Sequence, residues 1–116
     1  MSVATELAQL ALLGEAVENL ADVAVFVWDD DRNYVAVNRA GCALIGRTRD
    51  EILRMRVGDM TADRGAPYFD DVQHGPAKNG ILTVDRDDGP LEIQWVTSRT
   101  RIAGLPYMIS VCWLRR

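Results

Sequence analysis

The chain has one histidine, His74, in the stretch "APYFDDVQHGPAKNG", close to Tyr68, Phe69 and the Asp70-Asp71 pair. A neutral imidazole can shuttle protons or ligate a metal. Beside a carboxylate or a phenol it could form an acid–base pair, if burial pushed the two pKa values apart. Here Gly75 and Pro76 follow the histidine at once and would break a helix that carried it. The acidic runs Asp29-Asp30-Asp31, Asp70-Asp71 and Asp87-Asp88 sit among turn-forming residues, where carboxylates stay solvated. No Ser-His-Asp arrangement, phosphate-cradling glycine loop or metal-ligand spacing is present. Cys42 and Cys112 form no motif and suit two buried, reduced thiols. The sequence therefore predicts no catalytic residue and no metal site.

Any site must be positioned by a single domain, the usual expectation for 116 residues. The chain is 48% apolar and 26% charged, as ordinary globular proteins are. A net charge of −4, with Lys78 as the one lysine, argues against a nucleic-acid partner, which needs clustered cations. No apolar run approaches the roughly 20 residues of a membrane span. The start "MSVATELAQLALLGEAVENL" lacks a basic leader and carries Glu6, Glu15 and Glu18, so it is not read as a signal peptide. A cytoplasmic protein without a membrane partner is expected.

The spacing predicts a helix over residues 4–21, because Leu7, Leu10, Ala11, Gly14, Val17 and Leu20 recur every three or four positions. Leu12 and Leu13 widen that surface beyond one core contact, which suits a partner. Leu7, Leu10, Leu13 and Val17 are the candidate partner-facing residues. Val23 to Trp28 and Tyr34 to Val37 are β-branched and aromatic, and "DDDRN" between them is a turn, so a hairpin is expected. Asn38 can cap a short helix, "RAGCALI", that Gly46 can end in the left-handed conformation. Thr48 to Glu51 has the form of a capping box for a second short helix. It should add apolar contact through Ile52, Leu53 and Met55. The stretch "VGDMTADRGAPYFDDVQHGPAKNG" is the least regular, with room for a helical turn or two around Ala66 to Gln73. Three strand candidates close the chain, separated by "DRDDGP" and "IAGLP". The last is apolar on both faces, so its second face needs a cover, for which the N-terminal helix is the obvious choice.

In this order and spacing, the "DDDRN" turn, "VAVNRAGCALIGRTRDEIL", "DRDDGPLEIQW" and "RTRIAGLPYMISVCWLRR" resemble the PAS domain from about Glu18 to the end. The resemblance implies an α+β fold: a five-stranded antiparallel sheet in the order 2-1-5-4-3, with short helices on one face. An N-terminal flanking helix, residues 1–20, would precede a PAS-like domain, residues 21–116. Against the family pattern, the stretch before the third strand leaves little room for the usual longer helix. Nor does the last strand run into the family's Asp-Ile-Thr signal.

The resemblance further implies a signal-sensing or protein-interaction module of bacterial-type signal transduction or transcription regulation. It would act by ligand- or partner-dependent conformational change. Its expected partner is a second copy, met through the N-terminal helix and a sheet face, with an output kinase or regulator beyond. No cofactor is predicted. A haem held by His74 is the sharper alternative, because haem-binding members of the family use a histidine in that region. Flavin photochemistry is not expected, because Cys42 lies too early for the family's reactive cysteine. A small apolar ligand would meet Tyr68, Phe69 and Trp95, with Phe26, Val37, Leu82 and Ile109 as further lining if their strand face points inward. The favoured expectation is a filled core, because no polar group is evidently placed to orient a ligand. Trp28, Trp95 and Trp113 suit either an interface or the core. The alternative fold is a small cone-shaped α+β enzyme using Asp70 or His74 with Tyr68.

Overall fold

The computed structural model describes residues 2–60 and 78–115. Its elements are α1 (Val3–Glu18), β1 (Ala24–Asp29), β2 (Tyr34–Val37), α2 (Arg39–Ile45), α3 (Arg49–Ile52), β3 (Lys78–Val84), β4 (Leu91–Ile102) and β5 (Leu105–Leu114). The strands form one antiparallel sheet of order β2-β1-β5-β4-β3. This is the expected topology. Its physical logic lies in β5, whose apolar residues on both faces suit the centre of the sheet, between β1 and β4.

Local signals set the boundaries. In the β1–β2 turn, Asp29 Oδ1 accepts from the backbone N–H groups of Asp31 and Asn33, closing the acidic run onto itself. Asn38 caps α2, and Gly46 ends it at φ 75°, in the left-handed region that glycine enters freely. The Thr48–Glu51 box forms on both sides. The Thr48 backbone and hydroxyl donors hold the Glu51 carboxyl below the usual carboxylate range. Ala103 and Gly104 make the β4–β5 turn at φ 52° and φ 80°. Two positive φ values in a row match the twist of the flanking strands.

The core lies between the sheet and the short helices. Phe26 and Trp28 of β1, Val84 of β3, Ile93 and Trp95 of β4 and Met108 of β5 are its large members, with Ile45 and Ile52 from α2 and α3. Met55 packs at its margin, whereas Leu53 is exposed. Phe26, Val37, Leu82 and Trp95 therefore face inward, as a lined cavity would require, but Ile109 does not. It pairs with Val27 on the opposite face, because the inward set of β5 is Met108, Ser110 and Cys112. Trp28 and Trp95 are core residues. Trp113 lies on the outer face and donates to Gln94 Oε1 at 3.0 Å.

The N-terminal helix departs from expectation in two ways. It ends at Glu18, three residues before the predicted end, because the Asn19 side chain and backbone N–H both bond the Glu15 carbonyl. And none of its 16 residues is buried. Only its last turns meet the outer sheet face, where Leu13, Gly14, Val17 and Glu18 border a groove floored by Val25, Val27 and Ile109. The expected cover for β5 is thus partial.

One side chain ties these elements together. Asn38 Oδ1 accepts from Gly41 N and Val25 N, each at 2.9 Å, and Nδ2 donates to the Val17 and Val23 carbonyls at 2.8 and 3.0 Å. The residue is 4% exposed, so every one of these bonds replaces a lost bond to water. Asn38→Asp keeps the accepting oxygens but sets a carboxylate against two carbonyls. Asn38→Ala also removes the cap. Urea unfolding should show Asn38→Ala less stable by about 3–5 kcal/mol. Asn38→Asp should be destabilised as well, with the loss of helical signal falling first in α1.

Candidate functional site

Of the concave places on the described residues, one on each face of the sheet involves residues singled out from the sequence. The inner one is a cavity of about 60 Å³ between the sheet and α2, walled by Phe26, Trp28, Tyr34, Ile45 and Trp95 among others. Trp95 can lie flat there because Gly80, its partner on β3, has no side chain: a Cβ at Gly80 would stand 3.2 Å from the indole. The volume is under half of the roughly 150 Å³ of an apolar cavity that takes up benzene. Among the described residues the inner face thus leaves a small void beside a largely packed core.

The expectation that nothing polar is placed there is overturned. Trp28 Nε1 donates to Ser110 Oγ at 2.9 Å, and Ser110 Oγ lies 2.7 Å from Thr97 Oγ1. Both hydroxyls line the cavity, and Thr97 is 3% exposed. Each hydroxyl carries one proton. Whichever way the Ser110–Thr97 bond runs, it uses one of the two. The other faces the cavity or its walls as a donor. Thr97 follows Trp95, and Ser110 precedes Cys112, at the period of two, so both are readable once the inward face is known.

The remaining cavity candidates from the sequence, Tyr68, Phe69 and His74, and the Asp70-Asp71 pair lie outside the described residues, as does the helical turn expected around Ala66–Gln73. The ionisable groups on the described walls are Tyr34 and Cys112. Burial pushes the Cys112 thiol up to about 12, so it stays protonated and unreactive at neutral pH. Burial also raises Cys42, against a smaller lowering by Arg49. Both cysteines are free, but Cys42 is only half-buried. No group of three or more His, Cys, Asp or Glu that could hold a metal occurs among the described residues.

The outer place is the groove beside α1, about 540 Å³ in volume. Of the predicted partner-facing residues, Leu13 and Val17 border it, whereas Leu7 and Leu10 stand clear of the domain, 61% and 65% exposed. Leu12 and Leu13 are 67% and 63% exposed, so apolar side chains surround the helix instead of forming one stripe. No helix among the described residues is long and apolar enough to cross a membrane.

The two thiols give a direct check on the inner wall. An excess of a thiol reagent at pH 8 should modify Cys42 slowly and leave Cys112 untouched until denaturant is added. Reaction of both at equal rates in the native protein would contradict the buried placement of Cys112.

No family model and no curated protein sequence matches the chain. Solved structures do. A PAS domain from a two-component sensor histidine kinase superposes with a TM-score of 0.83 at 14% identity, over 96% of this chain and 99% of that one. The PAS domain of an HTR-like protein from Haloarcula marismortui gives 0.76 at 20% identity, over 97% of each chain. An RNA-binding light-oxygen-voltage receptor gives 0.78 at 22% identity, over 90% of this chain and 33% of its own. The strand order, the N-terminal helix and the short helices match the PAS fold, so the cone-shaped alternative is not the fold. The chain has the fold of a PAS domain.

Proposed function

We propose that the chain is a sensory and protein-interaction module that pairs with a second copy through α1 and the outer sheet face. The observation that carries this is the state of α1. It has 16 residues and none of them is buried, and isolated helices of about this length are marginal in water. Its exposed leucines, and the open apolar groove beside its last turns, are two surfaces that a second copy could cover together. The absence of basic residues from α1 suits an apolar contact. That a superposing domain comes from a sensor histidine kinase supports a place in signal transduction, with an output kinase or regulator responding to the arrangement of the pair. The two free thiols suit a reducing, cytoplasmic setting.

Sedimentation tests it. The wild-type chain should be a dimer at about 100 μM. Leu10→Asp should be a monomer with an unchanged near-ultraviolet spectrum, because Leu10 stands clear of the core. A wild-type monomer at that concentration overturns the reading.

The inner cavity favours a second reading, a small ligand as the signal. Its size suits a largely apolar molecule of a few heavy atoms, and the uncommitted hydroxyl proton suits one that offers a single acceptor oxygen. Native mass spectrometry and an absorption spectrum of the purified protein separate the cases. A small adduct retained by the wild type and lost in Thr97→Val supports the ligand. A Soret band overturns it in favour of haem.

A further inference from the structure

The hold on α1 is concentrated at its last two residues. The Val17 carbonyl accepts from Asn38 Nδ2, and the Glu18 carboxylate accepts from Arg49 Nη2 through both oxygens, at 2.5 and 2.7 Å. Arg39 Nε stands 3.6 Å from the same carboxylate. Arg49 is the first residue of α3, a single turn, and its guanidinium reaches out of that turn toward α1 and β2. Its third contact is the Nε bond to the Val37 carbonyl at 3.1 Å, at the end of β2. One guanidinium thus joins the end of α1, the end of β2 and the start of α3. Its planar fork allows this, whereas a lysine offers one ammonium point.

We infer that the Glu18–Arg49 pair is a latch that sets how α1 docks on the outer sheet face. Through α1 it sets the geometry of the self-association surface. This rests on the proposal that α1 is that surface, and it names what regulates it. The pair is about one-third to one-half exposed, which in a packed protein would make it minor. Here no α1 side chain is buried, so a weak bond has little to compete with. Arg49 also touches the strand and helix that lead to the cavity wall, Val37 and Ile52 both being core residues. A shift on the inner face that moves Arg49 would therefore release or reset α1.

Hydrogen exchange on the full chain, with sedimentation run in parallel, tests the latch. Glu18→Gln and Arg49→Gln should each speed exchange of the α1 amides by about 2- to 5-fold, with β1 and β5 amides unchanged. High salt should do the same to the wild type alone. The double variant should be no faster than the faster single variant, because both changes remove one interaction. Unchanged α1 exchange in the single variants, simple multiplication of their effects in the double, or an equal rise in β1 and β5 would each overturn the latch. A monomeric wild type with the predicted exchange pattern would defeat the association reading and leave the latch standing. A dimer whose α1 exchange ignores both substitutions would do the reverse.

Discussion

The fold turns on one buried carboxamide. Asn38 supplies two acceptor bonds and two donor bonds to four backbone groups: the start of α2, the start of β1, the residue before β1 and the end of α1, where the Val17 carbonyl also takes the Leu20 N–H. In an interior where each unpaired amide or carbonyl would cost a few kcal/mol, a side chain that pairs four at once fixes where three elements meet. Gly41 follows from the same crowding. A Cβ there would stand 2.5 Å from a Val37 methyl, so α2 can approach the strand this closely only through a glycine.

With α2 pinned in this way, the inner face is nearly full. Trp28, Trp95 and Phe26 bring large flat side chains onto the sheet's inner face, and Gly80 yields the room that Trp95 takes. A small void remains, and two hydroxyls and an indole N–H border it as one short hydrogen-bonded row. That row satisfies the Trp28 N–H deep in an apolar core, a sufficient structural reason for Ser110. Two hydroxyls sharing one bond leave one proton not spent between them.

The outer face has the opposite character. The core helices leave it open, and α1 reaches it only with its last turns, so it is a place of weak contacts. Polar bonds at Val17 and Glu18 do what apolar burial does elsewhere in the molecule. Such a helix is easily redirected.

Local chemistry is legible in the sequence wherever a residue acts on its own neighbours. The Asn38 cap, the Gly46 stop, the Thr48–Glu51 box and the "DDDRN" turn form as their types require, and the order of the motifs matches the sheet topology. The early end of α1 is within reach too, since Asn19 is a helix-stopping residue four positions after Glu15. Alternation along β5 does not say which face turns inward, because both are apolar. That is why Ile109 reads as a cavity residue from sequence, and why Thr97 and Ser110 do not. Periodicity in α1 yields a helix, but not whether the sheet will bury it. The reach of Asn38 across 21 residues to Val17, and of Arg49 across 31 to Glu18, is likewise set by packing. Sequence by itself determined the elements and their punctuation, because those bonds close within a few residues. Only the tertiary structure decided which face became core, what the cavity offers and how α1 is held, because those bonds join residues that meet only after the chain has folded.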